Sequence, residues 1–323
     1  RQALPGEAVD NPQLLAALER IAGPSQARKA RLIGRRLGIR QRHFSRRLDQ
    51  AISSPDPDAP ELCCRALRQA AGQAGMNLDR IEYLIGHTTS PHTLVPPNVA
   101  WVADRLGLHN PYMELRQACT GFASALQIAA PMLAVAEGRE ASVAVVGSEV
   151  GSVYLRLAEG DIDEEQLVNM MQMGDGAGAV LLGPGSSKDP ELISDLFVGQ
   201  LGKGRQPGLY LEGGGSAAVH CQAGIPRFRH DVQAVRGGGA ELYMAGLQAI
   251  SERGYALEDF RFIIPHQVNG HLARLLAEAL SIDPSMVVVD ADVLGNLGSA
   301  AIWVSFDRLR RSGRLRRGDK VLV

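Results

Sequence analysis

Aromatic residues make up only 5% of this 323-residue chain, and it holds just four cysteines. So few rings leave little material for stacking nucleic-acid bases, and a nucleic-acid partner is not expected. The cysteines are Cys63, Cys64, Cys119 and Cys221, two of them adjacent. That set is too sparse for the disulfide framework of a secreted domain, so a reducing cytoplasm is the expected location. Neither sign of charge dominates: 34 Lys and Arg face 35 Asp and Glu, for a net charge of −1. A polyelectrolyte partner for the chain as a whole is therefore excluded. Long hydrophobic runs are missing too. The longest, residues 122–136, contains Gln127 and Pro131 and is short for a bilayer, so no membrane association is expected. No signal-peptide pattern is visible. The chain begins at Arg1 and stops at Val323 inside a strand-like pattern, and both ends read as trimmed.

What is present is a soluble α/β grammar, 45% hydrophobic and 21% charged. Strand-like runs at 81–85, 112–115, 141–146 and 177–182 alternate with helix-like runs at 61–75, 98–106 and 122–136. Continuous apolar strands between helices predict a buried, mostly parallel sheet. Gly138 marks a break. A turn-rich stretch at 184–187 predicts a boundary. Beyond it the pattern restarts, with strands at 192–198, 262–264, 286–289 and 321–323 and helices at 240–252, 271–280 and 299–309. Two halves of similar grammar, 1–184 and 185–323, predict a structural duplication.

Three residues carry the chemistry. Cys119 stands in Ala118-Cys119-Thr120-Gly121-Phe122, at the predicted start of a helix. The thiolate is the reactive form of cysteine, and a helix N-terminus favours it. Gly121 is small, so a substrate can approach the backbone. A lone cysteine usually just packs, and Cys63, Cys64 and Cys221 are read that way. His266 follows a short apolar strand in Pro265-His266-Gln267-Val268-Asn269, a strand-end position that suits catalytic groups in α/β sheets. Asn296 follows Gly295 in another turn. A Cys–His pair suits nucleophilic catalysis, and a His and an Asn can donate two hydrogen bonds to one oxyanion, such as an enolate.

Other candidates read more plainly. Gly174 to Gly178 precedes a strand and lacks a following Gly-Lys-Ser/Thr, which excludes a phosphate loop. Met170, Met171 and Met173 read as packing or dimer contacts, and Gly213 to Gly215 as a turn. His87 and His92 are placed near an entrance; metal-ligand spacing is absent, and no metal site is assigned. Residues 28–47 carry nine basic and no acidic side chains, a landing surface for phosphates or an acidic carrier. The basic run 308–317 reads as the C-terminal turn of a helix.

Taken together, these residues resemble the ketoacyl-ACP synthase III family of thiolase-like condensing enzymes. Gly38-Ile39-Arg40-Gln41-Arg42-His43, the Cys119 segment, Val145-Val146-Gly147-Ser148-Glu149, Gly174 to Ala179, the His266 segment and Gly295-Asn296 stand in the family's order. The resemblance implies a five-layered αβαβα fold of two duplicated halves and a homodimer. It implies an acyltransferase with no bound cofactor, whose substrates are acyl-CoA or acyl-carrier thioesters. Cys119 takes the acyl group; His266 and Asn296 assist decarboxylation of a malonyl group held on an acyl carrier protein. The resulting carbanion attacks the acyl-cysteine to give a 3-ketoacyl product. The Cys119 amide forms part of the oxyanion hole, and a glycine-rich loop beyond Val323 supplies the second amide. Arg36, Arg40, Asn269, Gly121 and Phe122 are the implied substrate- and CoA-binding positions.

The chain also departs from the family pattern. Leu32 stands where an adenine-stacking tryptophan is common, and Val153 where a second flanking residue is an arginine. His271 replaces a carrier-docking arginine, with Glu278 on the same helix. Pro96 stands for a phenylalanine that gates the partner's acyl pocket. The altered docking positions leave two alternatives: a non-condensing acyltransferase that moves an acyl group to an oxygen, nitrogen or sulfur acceptor in specialised metabolism, or a non-catalytic partner subunit. A chalcone-synthase-like enzyme fits the histidine context less well, and a degradative thiolase lacks its second cysteine.

Overall fold

The computed structural model describes residues 1–47, 54–135, 142–155, 162–186, 189, 191–213, 215–216 and 226–323. Cys221, Gly138 and Gly214 lie outside them. The strands are β1 (Gln2–Ala3), β2 (Val9–Asp10), β3 (Gln41–Arg42), β4 (Tyr83–His87), β5 (Tyr112–Leu115), β6 (Val143–Glu149), β7 (Gly176–Leu182), β8 (Leu209–Glu212), β9 (Arg227–His230), β10 (Phe262–Ile263) and β11 (Val321–Leu322). The helices are α1 (Asn11–Leu37), α2 (Ala59–Ala74), α3 (Asn98–Leu106), α4 (Gly121–Ala134), α5 (Glu164–Gln172), α6 (Val232–Glu252), α7 (Leu272–Leu280), α8 (Ala291–Leu294) and α9 (Ala301–Arg311).

The main sheet runs β1-β7-β6-β4-β5. β4 pairs in parallel with β5 and β6, whereas β7 pairs antiparallel with β6 and β1. The sheet is thus mixed, not mostly parallel. All seven residues of β6 are buried, and a continuous apolar run reports burial on both faces whichever way the strand points.

Alternation along β6 sorts the layers. Ala144 and Val146 meet Leu62, Cys63, Ala66 and Leu67 of α2. Val143 and Val145 meet Ala125, Leu126 and Ala129 of α4 and Trp303 of α9. Beyond α4 and α9, Phe262, Ile264 and Val288 pack on Ile302 and Leu309, with Phe122 alongside. Helix, sheet, helix and second sheet therefore follow in order. Of that second sheet, β10 and β11 pair in parallel, and Val287 bridges Ile263. Residues 192–198 form no strand, and residues 286–289 contribute only that bridge. Leu192, Ile193 and Val198 are exposed, and an apolar run makes a ladder only when a neighbouring strand exists to pair with it.

Local signals set the ends. Asp10 caps α1 in a reciprocal box with Gln13, and Gly38 closes it in a left-handed conformation. Gly23 and Pro24 kink this helix in mid-course, which hides it from a search for one periodic run. Asp231 caps α6 well before the pattern at 240–252; the glycines at 237–239 blur the intervening periodicity. Met170 and Met171 are buried in the cluster beneath α1. Among the described residues, no helix is long and apolar enough to cross a membrane.

Candidate active site

Cys119 lies in a 3-10 turn, Ala118–Thr120, that runs straight into α4. The residue is half-buried. Burial, reinforced by the nearby Glu149, pushes its thiol up to about 12. At rest the group is a neutral thiol.

Glu149 ends β6 beneath the turn and is itself buried. Burial pushes its carboxyl up, against hydrogen bonds that favour the charge. Thr89 and Ser90 hydroxyls donate to one oxygen at 2.5 Å each. The Ser299 amide and hydroxyl donate to the other at 3.2 Å. Gly298 lies so close that an added Cβ would sit 2.4 Å from that carboxylate, and its φ of +49° is strained for other residues.

His266 follows β10 through Pro265. Gln267 anchors this segment: its amide donates to Pro265 and Val288 carbonyls at 2.8 and 3.0 Å, and its oxygen accepts from the Asp290 and Ala291 amides at 2.8 and 3.2 Å. Burial pushes the His266 imidazole down to about 4, so it is neutral at pH 7. Its Nδ1 is buried without a hydrogen-bond partner. A buried lone pair without a donor is tolerated better than a buried N–H without an acceptor. This favours the tautomer with the proton on Nε2.

Asn296 sits between α8 and the turn that opens α9. Its Oδ1 accepts the Gly298 amide at 2.9 Å, which fixes the side-chain rotamer and leaves Nδ2 as a donor. Two ties join the three segments. The Gln172 carbonyl accepts the Asn296 amide at 2.7 Å, and its side chain donates to the Val268 carbonyl at 2.9 Å. The Ser299 hydroxyl, shared between Glu149 and the Ala118 carbonyl, lies 3.3 Å from the latter. The Cys119, His266 and Asn296 turns are thereby gathered at one end of the sheets.

Sequence reading did not find Gln172, Ser299 or Tyr243. The Tyr243 hydroxyl donates to the His266 carbonyl at 3.5 Å, and its phenol is pushed up to about 12 by burial first and by Cys119 second. Gln172 gave no local signal, since its role depends on contacts distant in sequence. Ser299 likewise gave no local signal; Glu149 stood inside a quoted motif, and a lone acid ending an apolar strand is the signal that marks it.

The other positions fall as follows. Arg36 is exposed; Arg40 pairs with Asp292 at 2.7 Å. Arg42 and Arg46 of the same basic stretch are buried and turn inward, because Arg42 donates to Asn11 and the Met171 carbonyl and Arg46 to the Ser152 and Leu155 carbonyls. Asn269 accepts the His271 amide at 2.7 Å. Gly121 packs on His87, and Phe122 meets Trp303 edge-on at 6.0 Å. Leu32 is exposed, while Val153 packs against the core cluster under α2. His271 packs on Gly38, Arg274 pairs with Glu278 at 3.0 Å, and Pro96 lies in an exposed loop. His87 does not line an entrance: it is 1% exposed, behind the Cys119 turn, because β4 runs through the middle of the sheet. A cavity of about 410 Å³ lies where Arg31, Arg35 and Arg40 meet His271. Among the described residues, no group of three or more His, Cys, Asp or Glu side chains could hold a metal.

Comparison with known proteins gives a consistent answer. Residues 113–199 match the family model described as 3-oxoacyl-[acyl-carrier-protein] synthase III, and residues 250–323 match its C-terminal model. The beta-ketoacyl-[acyl-carrier-protein] synthase III of Desulfitobacterium hafniense is 31% identical over 297 residues, covering 89% of this chain and 83% of that protein. That of Bordetella petrii is 29% identical over 322 residues, covering 99% and 90%. Among solved structures, AbyA1, a tetronic acid condensing enzyme, superposes with a TM-score of 0.84 at 25% identity, covering 99% of this chain and 92% of that one. The synthase III of Pseudomonas aeruginosa does so with 0.75 at 26%, covering 99% and 90%. The fold is the thiolase-type α/β fold, and the chain belongs to the 3-oxoacyl-[acyl-carrier-protein] synthase III family.

Proposed function

We propose that this protein is a condensing acyltransferase that works through Cys119. The Cys119 sulfur attacks the carbonyl of an acyl-CoA or acyl-carrier thioester. A bond forms from Sγ to the acyl carbon, the thioester bond breaks, and the released thiol leaves with the cysteine's proton. A malonyl thioester then binds with its carbonyl oxygen against His266 Nε2–H and Asn296 Nδ2–H. Loss of carbon dioxide leaves an enolate whose charge these two donors stabilise. Its carbon attacks the acyl-cysteine, forming the carbon–carbon bond and freeing Cys119.

The observation that carries this reading is a neutral imidazole and an amide, each with a fixed rotamer or tautomer and a free donor, gathered beside a thiol by Gln172 and Ser299. Neutral donors suit an enolate, because a permanently charged imidazolium would be costly in so buried a site. The reading includes a homodimer: among the described residues β5 ends the main sheet with Tyr112 exposed on it, and Leu94 and Val95 are exposed in the loop before α3.

A second reading has specific support. His271 and the Arg274–Glu278 pair leave little free cation on α7 for an acidic carrier. On this reading Cys119 delivers its acyl group to an oxygen, nitrogen or sulfur acceptor without condensation.

Intact-protein mass spectrometry with a panel of acyl-CoA and acyl-carrier thioesters tests both. An adduct that disappears in Cys119→Ala supports acyl transfer through Cys119. Carbon dioxide released on adding malonyl-carrier, and lost in Asn296→Ala, supports condensation. Adduct formation without carbon dioxide release favours the second reading. No adduct from any donor would refute both and favour a non-catalytic partner subunit.

A further inference from the structure

Behind the Cys119 turn sits a histidine that the proposed reaction does not use. His87 ends β4 and is 1% exposed. It fills the space between two glycines: a Cβ on Gly121 would lie 2.7 Å from its Nδ1, and one on Gly147 2.6 Å from its Nε2. Trp303 Nε1–H donates to His87 Nε2 at 2.8 Å, with the rings edge-on at 6.3 Å.

That contact sets the tautomer. An indole N–H can only donate, so Nε2 must accept, and a neutral imidazole then carries its proton on Nδ1. Burial keeps the ring neutral by pushing it down to about 3. Nδ1–H is thus a buried donor. It has no hydrogen bond of ordinary geometry, and its polar neighbour is the Ala118 backbone.

The Ala118 carbonyl accepts the Gly121 amide, and the Ser299 hydroxyl, shared with Glu149, lies 3.3 Å from it. Ala118 has a φ of +48°, a left-handed conformation that a Cβ disfavours and that its surroundings must maintain. The peptide unit is planar, so the Ala118 C=O and the Cys119 N–H point in opposite directions. Whatever fixes the Ala118 carbonyl therefore aims the Cys119 amide.

We infer that His87, oriented by Trp303, is a positioning residue that aims the Cys119 N–H at the acyl oxyanion. This rests on the reading of Cys119 as the acyl acceptor. Removing an oxyanion donor outright costs about 10²- to 10³-fold in rate, so a misaimed donor is expected to cost about tenfold.

The test compares two reactions of the same thiol. Acylation by a thioester needs the oxyanion donor; alkylation by iodoacetamide does not. His87→Gln keeps an acceptor for Trp303 but cannot reach Ala118. It should slow acylation about tenfold or more and leave alkylation nearly unchanged. His87→Asn carries an N–H donor where Nδ1 was and should restore most of the acylation rate. If His87→Gln does not fold, Trp303→Phe decides: by freeing the tautomer it should slow acylation alone. Wild-type acylation in the folded variant of the pair, or equal slowing of both reactions, would overturn the inference. A wild type that alkylates but accepts no acyl group would instead overturn the reading of Cys119 itself, and the inference with it.

Discussion

His87 and His266 should make this protein sensitive to mild acid, and a single substitution isolates the share that belongs to His87. Burial pushes His87 down to about 3 and His266 to about 4. In the unfolded chain both titrate near about 6.5. Between pH 7 and 5 the unfolded state gains protons that the folded state refuses, so stability is full above about 6.5 and falls as pH drops through it. Each unit of pH below that point costs about 1.4 kcal/mol per histidine. Allowing for partial protonation near the midpoint, His87 alone accounts for about 2 kcal/mol between pH 7 and 5. Asp175 works the other way. Burial pushes its carboxyl up to about 6, so its stabilising protonated form is lost as pH rises from about 4 to 6. A wild-type curve therefore mixes opposing slopes. His87→Asn has no titrating group at this position and leaves Asp175, Glu149 and His266 in place. Urea unfolding of both proteins at pH 7 and pH 5, with m measured at each, gives the difference directly. The stability gap between wild type and variant should move by about 2 kcal/mol in favour of the variant at pH 5. Parallel curves would show that His87 takes up its proton in the folded state and would refute the neutral tautomer.

Two other substitutions probe the frame around the site. In Gly147→Ala the new Cβ would lie 2.4 Å from the Ser299 carbonyl and 2.6 Å from the His87 ring. Backbone on one side and a packed ring on the other leave no room, so unfolding in urea should show a loss of about 2 kcal/mol or more; an unchanged midpoint would mean that β6 and the Ser299 turn are less tightly apposed. Asp58→Ala removes the N-cap of α2, which accepts the Glu61 amide at 2.9 Å, and the fork to Arg105, 2.7 Å on each arm. Burial raises the Asp58 carboxyl, but Arg105 and the Glu61 amide outweigh it and hold the group below its ordinary value. The loss should be about 1–2 kcal/mol at pH 7 and should shrink as pH falls into the acid range, where wild-type Asp58 also loses its charge.

The candidate site was legible where chemistry and local structure coincide. Cys119 at a helix start, His266 at a strand end and Asn296 beside a glycine each have a local reason to stand where they do. The groups that join them were not legible. Gln172 links Val268 and Asn296 across long stretches of chain, and Ser299 reaches back to Ala118. Such contacts leave no period or spacing in the sequence. His87 was misplaced for a related reason. A polar residue at the end of an apolar strand looks like a rim residue, and only the arrival of Trp303 of α9, 216 residues further along the chain, shows that it is buried. The fold was legible as alternating strands and helices, but strand direction was not, because burial on both faces erases the pattern that would distinguish it. The strand expected at 192–198 failed because apolar composition alone does not provide a partner strand.

The basic stretch 28–47 shows how a motif can carry resemblance for structural reasons. Within Gly38 to His43, Ile39 is buried, Arg40 pairs with Asp292, and Arg42 is fully buried against Asn11 and the Met171 carbonyl. Desolvation pushes the Arg42 guanidinium down to about 10, which still leaves it charged at pH 7. A buried cation with two good acceptors ties β3 to α1 and α5; removing either acceptor would leave a costly unpaired charge. Arg42 therefore holds the molecule together and contributes little to a docking field, whereas Arg40 stays exposed beside its partner Asp292. Most of the cations that face solvent are on α1, where Arg28, Lys29, Arg31, Arg35 and Arg36 are exposed; Arg40 and Arg47 are exposed beyond it. Arg31 and Arg35, with Arg40, line the cavity beside His271. The exposed cations of the stretch thus stand mainly on α1, outside the segment whose sequence is most easily recognised.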